Sequence, residues 1–266
     1  MTTPWPLPRP PAGEPPARTW HAVAAVLAFW WGATGLLIAL QRSEGTRLGA
    51  LLLTVATVPC GLRLLRRARG DWSPGAALSS FAGGALLWTA VSASLYGGWV
   101  VGRPLGASAG APALLRAADA IAATGYNALL AAALLALALR VTRDAPNRLG
   151  VLAFAVFWAV HELAKLNVFL GVVNPGVQFL PPYLAHLARY FGPPHNSALL
   201  LPSVAALAVA AAVAARRAAT HPAGGRRVGA ALLACVLALA ALELALLGTA
   251  RDLGWWDAFL AWRGRS

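Results

Sequence analysis

Runs of about twenty apolar residues, separated by short arginine-bearing connections, recur along this chain and leave it few ways to fold. Seven such runs cover residues 20–40, 48–65, 76–98, 117–139, 149–172, 198–215 and 228–248. Roughly 20 apolar residues in a helix cross the ~30 Å hydrocarbon layer of a bilayer. Lipid offers no partner to a free backbone N–H or C=O, so each run must satisfy its own hydrogen bonds as a helix. The expected fold is therefore all-α: a polytopic membrane bundle of about seven transmembrane helices with interfacial helices. Composition agrees, with 59% hydrophobic and only 12% charged residues, about half the charged share of a soluble domain. The second run is short and holds Pro59, and the fourth is Ala-rich.

The remaining segments set the domain plan. Residues 1–19 carry seven prolines and are expected to form a disordered, extended tail ahead of the seven-helix domain at 20–266. They lack the basic start and short apolar core of a signal peptide. The longest connection, 173–197, has prolines at both ends. Its centre, Pro182 to Phe191, reads as an amphipathic interfacial helix, and Leu253 to Trp262 reads as a second. Trp20, Trp72, Trp99, Trp255 and Trp256 fall at run ends, as an aromatic belt would. Alternate connections hold thirteen arginines on the N-terminal side and eight on the other. That excess predicts a cytoplasmic N-terminus. The net charge of +13 sits in these membrane-flanking arginines. Their pattern points to anionic lipid rather than nucleic acid. Cys60 and Cys235 lie far apart in apolar runs and suggest no disulfide.

Chemistry concentrates in the fifth run. It contains His161, Glu162, Lys165 and Asn167, and Lys165 is the only lysine in the protein. Each buried ion costs about 2.5–3.5 kcal/mol on insertion scales, so such groups face protein or water. At 100° per residue, Trp158, His161, Glu162 and Lys165 share one arc, within mutual reach at i+3 and i+4. Asn167 points away and needs a separate partner. Three uses stay open: an ion pair that positions the helix, a docking site for a ligand or partner helix, and a proton relay. His161-Glu162-x-x-Lys165 resembles a zincin motif, but a cationic lysine cannot replace the second metal-binding histidine. Glu243 stands alone in the seventh run and requires a partner across helices, for which Lys165 is one candidate. His161, His186 and His195 are conceivable axial ligands for a chlorophyll-type magnesium. No phosphate loop, dinucleotide fingerprint or nucleophile elbow is present, so an enzyme is not expected.

The stretch Leu163-Ala-Lys-Leu-Asn-Val-Phe-Leu-Gly-Val172, then Asn174, Gln178-Phe-Leu-Pro181 and Tyr183 to Phe191, resembles the photosynthetic complex assembly protein 2 family of the PuhE type. The opening Ala28-Phe-Trp-Trp-Gly-Ala-Thr-Gly-Leu-Leu37 and the Leu-Glu243 pair before a Trp-rich C-terminus are similar too. Where that family has a His-rich fourth span, this chain has Gly125-Tyr126-Asn127. The resemblance implies a multi-pass protein of a phototroph's inner membrane, encoded near the reaction-centre H subunit. It implies a role in assembling reaction-centre and light-harvesting subunits, or in transient handling of bacteriochlorophyll for them. Alternatives are a carrier of a pigment precursor and a minor structural subunit of the finished complex. The residues carried into a docking role are His161, Glu162, Lys165, Asn167, Asn174 and Glu243.

Overall fold

The computed structural model describes residues 19–40, 44–106 and 111–249. Its α-helices are α1 (Thr19–Leu40), α2 (Glu44–Ala68), α3 (Pro74–Tyr96), α4 (Ala113–Ala123), α5 (Gly125–Val141), α6 (Leu149–Leu170), α7 (Leu200–Thr220) and α8 (Gly225–Leu247), with no strand among the described residues. By length and apolarity α2, α3, α6, α7 and α8 can each cross a bilayer, and the bent pair α4–α5 makes up to six. The expected first span coincides with α1. The expected tail and the expected helix at 253–262 lie outside the described residues.

Short turns at 69–73, 142–148 and 221–224 gather at one end of the bundle, the turn end. The longer connections at 97–112 and 171–199 gather at the other, the loop end. Arg63, Arg66, Arg67, Arg69, Arg140, Arg143, Arg148, Arg216, Arg217, Arg226 and Arg227 belong to the turn end. Among the described residues only Arg47, Arg103, Arg116 and Arg189 belong to the loop end.

Helix α3 is the hub, packed on α2, α5, α6 and α8. Small residues let its backbone approach two neighbours. A Cβ on Gly84 would lie 2.0 Å from the Gly150 carbonyl oxygen of α6, and one on Gly83 would lie 2.9 Å from that of Gly61 in α2. Without a hydrophobic drive between helices in lipid, such close packing is what holds them together. The Gly150 N–H also donates to Ser80 Oγ at 2.9 Å. Beyond this crossing an aromatic core forms, with Phe157 against Phe29, Trp30, Phe81 and Trp88 at 5.7–6.4 Å between ring centroids.

Two turns are sealed by side chains. Asn147, fully buried, donates to the carbonyls of Ala68 at 3.2 Å and Asp71 at 2.9 Å and accepts from Leu149 N–H. Ser73 caps α3 by accepting from Ala76 N–H at 3.2 Å, with Pro74 in the first turn.

One expectation is corrected and one is refined. The fourth span, 117–139, is not one straight helix: α4 and α5 meet at Thr124 with a 62° bend. The break follows from a non-local competitor for its backbone. Val101 O accepts from Asn127 N–H at 3.0 Å, and Ala122 O accepts from Arg103 N–H at 3.1 Å. The helix expected from Pro182 to Phe191 is present as Pro182–Tyr190 and is of the 3₁₀ type. At three residues per turn, positions i and i+3 eclipse. Leu184, Leu187 and Tyr190 therefore form one row, and both leucines are buried against Ala123 beside the break.

Candidate functional site

The polar groups of α6 lie in the half of the bundle nearer the loop end. At 1.5 Å per residue Lys165 stands about 8 Å beyond the midpoint of α6, so it is off-centre rather than mid-span. Its ammonium pairs with Glu162 at 2.8 Å and donates to Thr124 Oγ1 at 3.1 Å. The Thr124 hydroxyl donates to the Ile121 carbonyl of α4 at 3.2 Å while accepting from Lys165. The carbonyl-rich C-terminal end of α4 carries partial negative charge, which suits a cation there. Trp158 Nε1 donates to the other Glu162 oxygen at 3.2 Å. The result is a chain Trp158–Glu162–Lys165–Thr124 that ties α6 to the break between α4 and α5.

The structure brings three of the four expected arc residues together and turns the fourth away. His161 packs its ring edge-on against Trp88 of α3, with centroids 5.3 Å apart. Its Nε2 is buried and has no hydrogen-bond partner among the described residues. Asn167 is fully buried and donates to Leu163 O at 2.9 Å and to Ser203 Oγ of α7 at 3.1 Å. Below the break, Asn127 Nδ2 donates to Val91 O of α3 at 2.9 Å.

Asn174 and Glu243 sit apart from this chain. The Asn174 N–H donates to Leu247 O at 2.8 Å, joining the 171–199 connection to the end of α8. Asn196 reinforces that join, accepting from Val173 N–H and donating to Gly248 O at 2.9 Å. Glu243 lies on an exposed face of α8. It forms no ion pair among the described residues, since Lys165 is engaged by Glu162 and Thr124.

His161 stands in packed surroundings against Trp88, whereas His186 and His195 are exposed at the loop end. His186 Nδ1 is 3.1 Å from Tyr183 O. If Nδ1–H donates there, Nε2 is the acceptor nitrogen of the ring. Tyr183 is itself anchored. Tyr183 OH donates to Tyr96 O at 2.6 Å, and Arg47 lies 4.3 Å over its ring while donating to Gly97 O.

Sequence reasoning missed Thr124, Trp88, Ser203 and Asn196. The first three act across helices, and no spacing within one run reports that. Asn196, two residues beyond a Pro-Pro pair in a long connection, carried a legible turn signal.

A multi-pass helical membrane protein with a charged, hydrogen-bonded chain beside a broken helix is the class these features define. Residues 17–257 match the model of the DUF3623 family, described as a protein of unknown function, and the chain belongs to that family. A Rhodobacter capsulatus protein described as an uncharacterized 30.4 kDa protein in the puhA 5′ region is 37% identical over 97 residues. The match spans 36% of this chain and 35% of that relative, about a third of each. No solved structure matches.

Proposed function

We propose that this chain is a non-enzymatic assembly factor of a bacterial photosynthetic inner membrane, of the PuhE type, with its N-terminus in the cytoplasm. It aids reaction-centre or light-harvesting assembly or delivers bacteriochlorophyll to those subunits. A relative described by its position beside puhA supports the photosynthetic context, as does the family resemblance of 163–191. The arginine excess at the turn end supports the orientation.

The observation that carries the mechanism is the Glu162 side chain, 32% exposed while its Lys165 partner is 11% exposed. An ion pair needed only to hold α6 would be enclosed. One left partly uncovered within a span, where desolvation costs several kcal/mol, is a surface for another polar group. A partner helix that covers Glu162 with a hydrogen-bond donor is the fitting occupant, and Lys165 orients the carboxylate for it.

The test is Lys165→Met in a phototrophic host, read by immunoblot for accumulation and by absorption spectroscopy of the membranes for finished complexes. Normal accumulation with a several-fold loss of complexes is expected. Normal assembly at normal accumulation defeats the proposal. The tagged wild-type protein should co-purify with reaction-centre or light-harvesting subunits.

A carrier of a pigment precursor is the second reading, favoured by the helix break at Thr124. Discontinuous spans beside intramembrane charges are common at transport sites. Precursor uptake into proteoliposomes that Lys165→Met abolishes would select it over assembly.

A further inference from the structure

We infer that the outward face of α2, near its turn-end terminus, binds the headgroup of an anionic phospholipid. Arg63, Arg66 and Arg67 are spaced i, i+3 and i+4, and all three are exposed. Together with Pro59, Cys60 and Leu62 they line a groove of about 590 Å³. The groove grades from apolar to cationic along the helix axis. Pro59, Cys60 and Leu62 lie deeper in the hydrocarbon layer, and the guanidinium groups lie toward the surface.

That gradient matches a phospholipid in outline. Arg63 stands five residues inside the end of α2, about 7–8 Å at the helical rise. Its long side chain reaches the phosphate level by extending along the helix. Glycerol and upper acyl carbons then rest on Pro59 and Leu62. A guanidinium meets phosphate oxygens through two parallel N–H donors, a geometry a lysine lacks.

Charge selects the occupant further. None of the three arginines has an ion-pair partner among the described residues. The nearest acid in sequence, Asp71, is engaged by the Ser73 N–H at 3.0 Å. Two other turn-end arginines have partners: Arg226 lies 5.4 Å over the Trp72 ring, and Arg143 lies 3.9 Å from Asp144. Three unmatched positive charges in one groove favour a headgroup with two phosphodiesters over one with a single charge. The site is remote from the Glu162–Lys165 chain, and its occupancy does not depend on the role proposed for that chain.

The experiment is native mass spectrometry of the full chain released from mild detergent, titrated with cardiolipin, phosphatidylglycerol or phosphatidylcholine. One saturable cardiolipin is expected, held at least tenfold more tightly than phosphatidylcholine. The Arg63→Gln/Arg66→Gln/Arg67→Gln variant should lose at least tenfold in cardiolipin affinity. The Arg216→Gln/Arg217→Gln/Arg227→Gln variant removes equal charge at the same end and should stay within twofold. Equal losses in both variants would mean diffuse attraction only and would overturn the inference, as would no loss in the α2 variant. Arg66→Lys, which keeps charge and fold, should still weaken binding, and unchanged affinity there counts against the site. Displacement of the lipid by millimolar inorganic phosphate would reduce the site to a free-anion site.

Discussion

Gly84→Ala tests whether backbone contact at the α3–α6 crossing organises the bundle. The added Cβ would lie 2.0 Å from Gly150 O and 2.8 Å from Gly150 C, against 3.4 Å for ordinary contact. Both obstructing atoms are backbone, so no side chain can rotate away and the helices must part by roughly 1.4 Å along that line. A gap of 0.5–1 Å already forfeits about a quarter to a half of each dispersion contact it opens. Overpacking of this kind costs about 1–3 kcal/mol, and the Gly150–Ser80 hydrogen bond at risk adds ~1 kcal/mol. Better helix propensity of Ala returns up to ~1 kcal/mol. The expected net loss is about 2 kcal/mol. Reversible unfolding in mixed micelles with increasing SDS, followed by tryptophan fluorescence, reads it directly. Gly49→Ala is the control, because nothing lies within 4 Å of its added Cβ, and it should be neutral or slightly stabilising. If Gly84→Ala unfolds at the same SDS fraction as Gly49→Ala, the close-contact argument is wrong.

Three further outcomes are expected. Asn167→Ala and Ser203→Ala should couple by about 0.6 kcal/mol in a double-mutant cycle, the usual size for interhelical hydrogen bonds in membranes, and strictly additive effects would rule out their contact. Asn147→Ala should lower unfolding free energy by about 1–3 kcal/mol, because it removes the donor to the Ala68 and Asp71 carbonyls and the acceptor of the buried Leu149 N–H; a loss below 0.5 kcal/mol speaks against the clamp. Hydrogen bonds from Ser73, side chain and then backbone, hold the Asp71 carboxyl below its ordinary 3.8. Its contribution is therefore complete above pH 3.8 and fades as pH falls through the lower folded value. Asp71→Asn should flatten that acid limb of the stability curve, and an unchanged limb would show that Asp71 is not coupled to folding.

How far the chain could be read in advance depended on the range of each interaction. Apolar runs are local, so the helices were legible, including α2, where Pro59 removes only one donor from a 25-residue helix. The Glu162–Lys165 pair was legible for the same reason, being one turn apart. The break at Thr124 was not, because its cause is the 101–103 backbone competing for α4 and α5. His161 was assigned to the charged arc because helical angle alone cannot weigh Trp88 on another helix. The 3₁₀ segment lay between these cases: the Leu184, Leu187, Tyr190 spacing is threefold, but a nine-residue amphipathic stretch suggests an α-helix first. Lys165 was a candidate partner for Glu243 only because Glu243 stands alone in its own run.

The bend at Thr124 also changes the lipid around the protein. The straight part of that span, α5, has 17 residues, about 26 Å of helix, against a hydrocarbon layer of ~30 Å. On the side away from α4, bilayer that meets α5 alone thins to match it, at a fraction of a kcal/mol per ångström. Beside α6 and α8, with 22 and 23 residues, it need not. The annulus is therefore dimpled on one side. A neighbour with an equally short helix relieves that deformation by occupying the dimple, so thickness matching can orient encounters in the membrane plane before any side chains meet.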